Sequence, residues 1–593
     1  MGMIFVMASN YFAVLAPQVT GYVINQVQQR LPNAKPIPEK PWHDPLVQWF
    51  VDVLEPYKSQ FLTLITICSI TILVLAILRG VLMFFMRQTI IVMSRHIEFD
   101  QKNEVFTHYQ KLDTNFYKTH TTGDLMNRIT EDVSRVRMYT GPAIMYLINL
   151  VTLIGFCVVN MVRKDAMLTV YVLAPLPILA LTIYVVNTII HKKSEKIQAL
   201  LSDLTTNAQE SYSGIRVIKS FVQEKAMLGF FNANSEDYKN NAIGLAKVES
   251  IYFPSMSLMI GLSTLATILI GGIQALNDPS KVGVIVEFVL YINMLVFPVS
   301  AIGWVASMIQ RASASQKRLN EFLDTPSTIT DLPGLKGQVV GGDIYFNNVT
   351  FEYPHTGIVA LRNFNLHIKQ GQKVLILGKT GSGKSTVAQL LLRFYNPSTG
   401  TITVNNIPVN QFNLHDLREQ ISYVPQDVFL FSDTVANNIN FGLDNLANAD
   451  KIALAARQAS VEKEIHHFAK GYETMVGERG VTLSGGQKQR LSIARSLIKD
   501  PQVVVFDDCL SAVDTATENT IIGNLYQFLQ NKTAIIITHR IFTLFNFDKI
   551  VILENGKITE QGTHDELMKL NGYYTQLYRM QITSAHPKEG SLS

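Results

Sequence analysis

Residues 373–385, Lys-Val-Leu-Ile-Leu-Gly-Lys-Thr-Gly-Ser-Gly-Lys-Ser, decide how the second half of the chain folds. A short apolar run leads into the pattern G-x-x-x-x-G-K-[ST], and the helix-forming stretch Ser385–Phe394 follows. In this arrangement the backbone N–H groups of the loop meet phosphates at the start of a helix. The stretch therefore predicts a strand, a phosphate-binding loop and a helix that together bind a nucleoside triphosphate.

The composition of the chain predicts a membrane protein. Of its 593 residues, 47% are hydrophobic and only 17% are charged. The net charge of +4 is too small to indicate a nucleic-acid partner. The three cysteines lie far apart and have no CxxC spacing, so the sequence predicts neither a disulfide framework nor a zinc site at Cys68, Cys157 and Cys509.

Six apolar stretches before residue 325 predict six membrane-spanning helices, since a span needs about 20 residues. The stretches are Met1–Gln29, Phe61–Leu78, Gly141–Val162, Ala166–Ile190, Ile251–Leu276 and Phe288–Ile309. We place the spans near residues 1–25, 59–80, 139–163, 165–190, 249–276 and 284–310. A secretory signal in place of the first span is disfavoured, because no Lys or Arg precedes Arg30.

The connections between the spans predict the topology. The two long connections, after the second and fourth spans, hold 17 Lys and Arg, against seven in the three others, which places the long ones in the cytosol. The N-terminus and the half that carries the phosphate-binding loop then lie in the cytosol too, and we expect a multi-pass plasma-membrane protein. Arg87–Tyr117 and His191–Asn207 lack Gly and Pro and are expected to extend the helices, with breaks at Thr119–Asp124 and Glu210–Arg216.

After Asp324-Thr-Pro326 the sequence alternates short strands with helices, which is typical of an α/β fold. Ligands bind beyond the carboxyl ends of such strands, where Gly378, Asp507 and His539 would lie. Lys384 is expected on the β- and γ-phosphates, with Ser385 and Asp507 on a magnesium ion. The predicted nucleotide-binding residues of the loop are Gly378, Lys379, Thr380, Gly381, Ser382, Gly383, Lys384, Ser385 and Thr386.

A second motif, Leu483-Ser484-Gly485-Gly486-Gln487, lies about a hundred residues after the first. With the phosphate loop, Asp507 and the six spans, it makes nearly the whole chain resemble the ATP-binding cassette (ABC) exporters. The resemblance implies a half-transporter with an α-helical transmembrane domain of residues 1–325. An α/β P-loop NTPase cassette with an antiparallel β subdomain would follow in residues 326–593. In that family the signature Leu483–Gln487 binds the ATP held by the opposite subunit.

The same resemblance implies further roles. Gln426 would sense magnesium and contact a coupling helix, His539 would contact the γ-phosphate, and Tyr353 would stack on adenine. Other segments would meet the coupling helices or the dimer partner: Thr474–Arg479, Ser511–Asp514, and the breaks at Thr119–Asp124 and Glu210–Arg216. Exporters of this type usually begin with a basic amphipathic helix before the first span, so we expect that the recorded start is late.

One residue departs from the family pattern. Family members that hydrolyse ATP efficiently carry glutamate directly after the Walker-B aspartate. In this chain the Walker-B aspartate is Asp507, and the residue that follows it is Asp508. The shorter side chain withdraws the carboxylate by about 1.5 Å, and misplacement by about 1 Å can cost about 100-fold in rate. The catalytic candidates are therefore Asp508, His539 and Gln426, with slow turnover expected at this chain's own site. This pattern favours a heterodimer with a second half-transporter over a homodimer.

The cargo is only weakly indicated. The last two spans carry an aromatic and Met-rich face that suits amphipathic molecules, although helix packing and lipid contact explain it too: Tyr252, Phe253, Met256, Met259, Tyr291, Met294, Phe297 and Trp304. Neither stretch holds a charged residue, which argues against a strongly ionic cargo. The sequence predicts ATP-driven export of drugs or lipids by alternating access. The alternatives are a homodimeric lipid flippase or an ATP-gated channel or regulatory subunit.

Overall fold

The computed structural model describes residues 1–31, 42–331, 340–443, 445, 447–509, 515–541 and 545–585. The chain separates into two compact units. The first unit combines Met1–His108 with Leu125–Asp324, and the second combines Tyr109–Asp124 with Thr325–Ser593. The short segment Tyr109–Asp124 therefore groups with the second half of the chain, although it lies in the first half of the sequence.

The described part of residues 1–324 is helical. Its α-helices are α1 (Gly2–Gln28), α2 (Pro45–Leu54), α3 (Phe61–Lys111), α4 (Thr114–Thr119), α5 (Thr122–Asn127), α6 (Val133–Met138), α7 (Ile144–Lys164), α8 (Ala166–Leu173), α9 (Pro175–Ser213), α10 (Ile215–Ser220), α11 (Glu224–Asn277) and α12 (Lys281–Leu323). Two π-helical turns, Arg128–Asp132 and Tyr139–Ala143, join α5, α6 and α7 into one long rod.

Among the described residues, six helices are long and apolar enough to cross a membrane. They are Gly2–Gln28, Phe61–Lys111, Thr122–Lys164, Ala166–Ser213, Glu224–Asn277 and Lys281–Leu323. The six predicted spans are therefore confirmed. Helices α3 and α9 continue well beyond their apolar parts, as predicted. The extension of α3 ends at Lys111, before the predicted Tyr117, whereas α9 continues past Asn207 to Ser213.

The long helices are interrupted or distorted near prolines, which have no backbone N–H to donate, and near a glycine. The predicted span Ala166–Ile190 is divided at Ala174, because Pro175 has no N–H to donate. Pro142 lies in the second π-helical turn. The two expected breaks are present: α4 ends at Thr119, and α9 ends at Ser213, where the N–H of the following Gly214 donates to Glu210 O at 2.7 Å.

A group of ionisable side chains joins the ends of α7, α8 and α12 with the connection after α1; we call it the paired charge cluster (His43, Lys164, Asp165, Lys281 and Glu287). Lys164 Nζ lies 3.0 Å from Glu287 Oε1, and these side chains are 2% and 1% exposed. Lys164 Nζ also lies 3.2 Å from His43 Nδ1, and Lys281 Nζ lies 2.8 Å from Asp165 Oδ2. Each buried charge thus has a partner on another element.

Small and polar residues of α1 let this helix approach the cluster closely. A Cβ atom on Gly21 would lie 2.4 Å from Glu287 Oε1, so only glycine fits there. Gln18 Nε2 donates to Asn160 Oδ1 at 2.7 Å, and Asn25 Oδ1 accepts from Gly283 N at 2.8 Å. These bonds fix α1 against α7 and α12.

The second unit is an α/β layer structure. Its strands are β1 (Ile344–Glu352), β2 (Val359–Ile368), β3 (Lys373–Leu377), β4 (Thr399–Val404), β5 (Ile407–Pro408), β6 (Ile421–Val424), β7 (Val503–Asp507), β8 (Thr533–Ile537), β9 (Lys549–Glu554) and β10 (Lys557–Gly562). Its helices are α13 (Lys384–Leu391), α14 (Leu414–Gln420), α15 (Val435–Asn440), α16 (Ala449–Gln458), α17 (Glu462–His467), α18 (Gly485–Leu497), α19 (Thr515–Phe528), α20 (His564–Leu570) and α21 (Tyr573–Ala585).

The strands form two sheets. One is antiparallel with the order β2-β1-β4-β5, and the other has the order β10-β9-β3-β8-β7-β6. In the second sheet the five strands from β9 to β6 are parallel, and β10 is antiparallel. This arrangement confirms the predicted fold class. Both faces of the parallel sheet are covered: Leu375 and Leu377 point into one core, and Val374 and Ile376 into the other.

Candidate nucleotide-binding and hydrolysis site

The parallel sheet brings the predicted phosphate-binding and catalytic residues to one edge. β3 pairs with β8, and β8 pairs with β7, so Ile376 and Asp507 both lie opposite Ile537. The residues that directly follow these strands are Gly378, Asp508 and Thr538. The carboxyl ends of parallel strands meet at the same edge, and ligands of open α/β sheets bind there.

The phosphate loop is held in a shape that only glycine allows. Gly383 has a φ of +98°, and a Cβ atom on it would lie 2.3 Å from Ala360 O. The loop passes from β3 directly into α13, so its N–H groups gather at the start of that helix. Such a helix start attracts an anion through both its unpaired donors and its dipole.

Lys384 folds back over the loop that precedes it. Its Nζ donates to Gly378 O at 2.9 Å and to Lys379 O at 2.8 Å. Burial lowers the pKa of Lys384, while Asp508 and Asp507 act in the opposite direction. The ammonium group is thus held over the phosphate loop, where it would meet the charge of a triphosphate.

Two oxygen donors meet at the centre of the edge. Ser385 Oγ donates to Asp507 Oδ1 at 3.0 Å, and the Asp507 side chain is almost completely buried. Burial raises the pKa of Asp507, and hydrogen bonds from Ser385 and Tyr423 partly offset the rise. Hydroxyl and carboxylate oxygens are the ligand types that Mg²⁺ takes in proteins.

Tyr423 is a contact that the sequence reasoning missed. Its hydroxyl donates to Asp507 Oδ2 at 3.1 Å. The pairing of β6 with β7, which sets Tyr423 opposite Val505, brings it there. The only signal in the sequence was the position of Tyr423 on a strand, three residues before Gln426. This position predicts a contact with Asp507 only when the order of the strands in the sheet is known.

Asp508 is engaged by the residues that follow β8. Its carboxylate lies 3.1 and 3.2 Å from His539 Nδ1 and accepts from Thr538 Oγ1 at 3.2 Å. The backbone of Asp508 is left-handed, with a φ of +47°, and its N–H donates to Ile537 O at 2.7 Å. The carboxylate is thus tethered to β8 and to His539.

Two predicted residues lie at the margins of this arrangement. The Tyr353 hydroxyl lies 2.9 Å from Thr386 Oγ1 and donates to Gln389 Oε1 at 3.0 Å, so the side chain is hydrogen-bonded to α13. Gln426 follows β6 and is exposed, and within the described residues its side chain makes no hydrogen bond. The structure does not join Gln426 to Ser385 or Asp507.

The signature forms the start of a separate helix. Ser484 caps α18: its Oγ accepts from Gln487 N at 3.3 Å, and its N–H donates to Gln487 Oε1 at 2.9 Å. Leu483 packs against the core, while Ser484 and Gly485 are exposed. Within the described residues, no hydrogen bond or ion pair joins the side chains of Ser484 and Gln487 to the phosphate loop.

The other predicted segments have different outcomes. Thr474–Arg479 is fixed by backbone bonds to the start of α15, such as Val435 N to Thr474 O at 3.0 Å, and its Arg479 is exposed. The predicted dimer-contact segment Ser511–Asp514 lies outside the described residues.

The residues expected to face cargo divide into three groups. Tyr291 is fully buried and donates to Val14 O at 3.1 Å, and Met256 and Met259 pack against the core of the helices. Met294 and Phe297 line a cavity, and Trp304 contacts Tyr146 with ring centroids 5.1 Å apart. The side chains of Tyr252 and Phe253 lie outside the described part.

Comparison with known families matches both units. The ABC transporter transmembrane region matches residues 1–299, and the ABC transporter cassette matches residues 361–511. The first match alone covers more than half of the chain. The chain therefore belongs to the ABC transporters, as a half-transporter with six spans fused to one cassette.

Individual relatives agree over most of their length. The chain is 37% identical to the probable multidrug resistance ABC transporter ATP-binding/permease protein YheI of Bacillus subtilis, over 81% of this chain and 82% of the relative. It is 34% identical to the multidrug resistance-like ATP-binding protein MdlA of Escherichia coli, over 87% of each. It is 33% identical to the ATP-dependent lipid A-core flippase of Aromatoleum aromaticum, over 82% of this chain and 80% of the relative.

A solved structure shares the fold. A bacterial Atm1-family ABC exporter with ATP bound matches with a TM-score of 0.75 and 23% identity, covering 100% of this chain and 98% of the other. Together with the family matches, this makes the chain a multi-pass membrane protein with a cytoplasmic cassette. It is an ATPase whose activity drives export across the membrane.

Proposed function

We propose that this chain exports hydrophobic or amphipathic compounds, drugs or lipids, as one subunit of a dimer. The names of relatives that are 33 to 37% identical support this cargo class, since they include multidrug resistance proteins and a lipid A-core flippase. Closure of two cassettes around ATP would move the spans between inward and outward access. The division between the transmembrane domain and the cassette near residue 325 is part of this proposal.

Mg²⁺ would be held at the centre of the phosphate-binding edge. Ser385 Oγ and Asp507 Oδ1, 3.0 Å apart, fit a small oxygen-liganded cation, and Gln426 would reach it only after a movement of its loop. When bound, the ion neutralises charge that develops on the phosphate oxygens. Lys384 would position the β- and γ-phosphates, Tyr353 would contact the adenine, and the signature Leu483–Gln487 would complete the partner's site.

We propose further that this chain carries the slow ATP site of a heterodimer. The carrying observation is Asp508, which is one methylene shorter than glutamate and lies 3.1 and 3.2 Å from His539 Nδ1. A carboxylate tied to His539 and Thr538 is poorly placed to polarise an attacking water. The intact signature would still serve a competent site on the other subunit.

The coupling segment would be Tyr109–Asp124, which groups with the cassette unit. The Asp113 carboxylate accepts from Thr328 N at 2.7 Å and also from the Thr328 hydroxyl. These bonds lower the pKa of Asp113 against the opposing effect of burial. A segment that is held by the cassette and continues α3 can transmit cassette movement to the second span.

The experiment is the variant Asp508→Glu in the assembled transporter, measured as steady-state phosphate release in lipid nanodiscs. In a heterodimer with one competent site, activation of the second site should raise the rate about twofold. In a homodimer both sites should gain, by up to about 100-fold from a low starting rate. Asp508→Asn is the matched control and should change the heterodimer little, because the other site carries the turnover.

Purification of this chain without a second half-transporter sharpens the result. The heterodimer proposal predicts weak, non-cooperative ATP hydrolysis from the chain alone. Vigorous cooperative hydrolysis by the chain alone would refute it in favour of a homodimer. An unchanged rate in the Asp508→Glu complex would refute the slow-site assignment itself.

A further inference from the structure

The transmembrane unit contains a cavity of about 430 Å³ between α1, α3, α7 and α12. A second cavity of about 460 Å³ adjoins it and shares Arg87, Met145 and Tyr146 with it. We call the two together the arginine cavity, because Arg79 and Arg87 of α3 line it. Volumes of this size are typical of small-molecule sites.

Neither arginine has a charged or hydrogen-bonding partner in the part of the chain that the structure describes. They are exposed, and within the described residues neither forms an ion pair or a side-chain hydrogen bond. They are eight residues apart on one helix, which corresponds to a rise of about 12 Å. A guanidinium stays charged at any physiological pH and offers several donors in a plane.

The walls of the cavity do not compensate this charge. Among its described lining residues there is no aspartate or glutamate. A further cavity, of about 490 Å³ between α9 and α12, differs, because Glu195 lines it beside His191 and Lys192. Arg79 and Arg87 are therefore free, among the described residues, to pair with the negative charge of a bound molecule.

The remaining lining is apolar and adaptable. Four methionines, Met83, Met86, Met145 and Met294, contribute to it together with Phe297. Methionine side chains adjust to apolar groups of different shapes. The Asn149 amide adds an unpartnered donor among the described residues.

We propose that the arginine cavity binds an amphipathic anion, with its phosphate or carboxylate on Arg79 and Arg87 and its hydrocarbon part on the methionines. The inference rests on the proposed export of amphipathic compounds and specifies the charge of the cargo. It differs from the sequence expectation against a strongly ionic cargo, which considered only the last two spans, because Arg79 and Arg87 belong to the second span. It also gives a counter-charge to two arginines that have no carboxylate partner among the described residues.

The experiment uses the assembled transporter in nanodiscs, with dodecyl phosphate as the probe, dodecyltrimethylammonium as the cationic counterpart, and inorganic phosphate. Stimulation of ATP hydrolysis gives the apparent affinity for each. Arg79→Gln and Arg87→Gln should each weaken dodecyl phosphate about tenfold, the effect of one lost charged hydrogen bond. The response to dodecyltrimethylammonium should not weaken.

Three variants control for fold and charge. Arg95→Gln makes the same substitution on the same helix, where Arg95 already pairs with Glu98 at 2.9 Å, and should leave the dodecyl phosphate response unchanged. Arg79→Lys keeps the charge and should retain most of the affinity, which also excludes misfolding as the cause. Trp304 fluorescence in a Trp42→Phe, Trp49→Phe background reports binding directly, because Trp304 contacts Tyr146 of the cavity.

The outcomes separate the two proposals. A response to dodecyltrimethylammonium without one to dodecyl phosphate would refute the anion site and leave the proposed export intact. Equal weakening for both probes would assign the arginines a structural or membrane-anchoring role and refute the site. Competition by inorganic phosphate at the same concentration as dodecyl phosphate would refute an amphipathic ligand. No response to any amphipath, with basal hydrolysis retained, would refute the proposed export and the site with it.

Discussion

Two regions of the transmembrane unit differ in how their charged side chains are paired and buried. In the paired charge cluster, Lys164 and Glu287 are 2% and 1% exposed and lie 3.0 Å apart on different helices. In the arginine cavity, Arg79 and Arg87 are exposed and unpartnered among the described residues. Paired buried charges fix helices together, whereas unpaired charges on a cavity wall are available to a ligand.

The six-span topology with a cytoplasmic cassette assigns the two regions to opposite sides of the membrane. The paired charge cluster joins the connections after the first, third and fifth spans, which lie on the extracytoplasmic side. Arg79 follows the apolar stretch of the second span on its cytoplasmic side. The extracytoplasmic ends of these helices are thus joined by paired charges, while the unpaired arginines lie toward the cytoplasmic side, from which the proposed ligand would arrive.

The largest effect is expected when one partner of the buried pair is removed. Glu287→Ala leaves the Lys164 ammonium buried without its carboxylate, which should destabilise the unit by about 3–5 kcal/mol. Reversible denaturation in detergent or nanodiscs, followed by circular dichroism, measures this.

The double variant Lys164→Met, Glu287→Leu is the control for that change. It removes both charges and should lie within about 1 kcal/mol of the wild type, because two apolar side chains of similar volume replace the pair. Equal destabilisation by the single and double variants would show that packing, and not charge pairing, holds these helices.

A smaller loss of stability is expected when the pH is lowered. Burial and the neighbouring Lys164 charge lower the pKa of His43 to about 3, well below the value of about 6.5 in an unfolded chain. Below pH 6.5 the unfolded chain takes up a proton that folded His43 does not, so stability falls as the pH is lowered. At pH 5 the loss should be about 2 kcal/mol.

His43→Gln tests this assignment. The amide oxygen can still accept from Lys164, but glutamine does not titrate, so the variant should lose less stability than the wild type between pH 7 and pH 5. Parallel stability curves for the two proteins would contradict the role of His43.

The smallest effect on stability is expected in the arginine cavity. Arg79→Gln and Arg87→Gln remove no side-chain hydrogen bond or ion pair among the described residues, so the free energy of unfolding should change by less than about 0.5 kcal/mol. The same denaturation experiment measures this. A loss of 2 kcal/mol or more would place these arginines with the structural charges and end the contrast between the two regions.

Sequence reasoning performed differently in the two units. In the cassette, the glycines of the phosphate loop set its backbone conformation, and the loop passes directly into a helix at Lys384 and Ser385. The conformation of the loop therefore depends on neighbouring residues and could be predicted from the sequence. The Tyr423 contact with Asp507 was missed, because it depends on β6 lying beside β7. The tether between Asp508 and His539 likewise depends on the pairing of β7 with β8.

In the transmembrane unit, hydropathy predicted the six spans because length and apolarity are sufficient for a span. Hydropathy did not predict the interruption at Ala174, since a single proline such as Pro175 bends a helix without changing its apolar character. Nor did it predict the ion pair between Lys164 and Glu287. The rotation of each helix about its axis decides which side chains face each other, and hydropathy carries no signal for that rotation.

The sequence by itself determined the six spans, the phosphate loop, the signature and the aspartate at position 508, because each depends on neighbouring residues or on composition. Only the tertiary structure decided which charges meet. Glu287 lies over a hundred residues from Lys164 and is paired, whereas Arg79 and Arg87 share a helix and no carboxylate is found among the described residues that line their cavity. Coulomb attraction acts through space and not along the chain, so packing separates the charges that stabilise the fold from those that can bind a ligand.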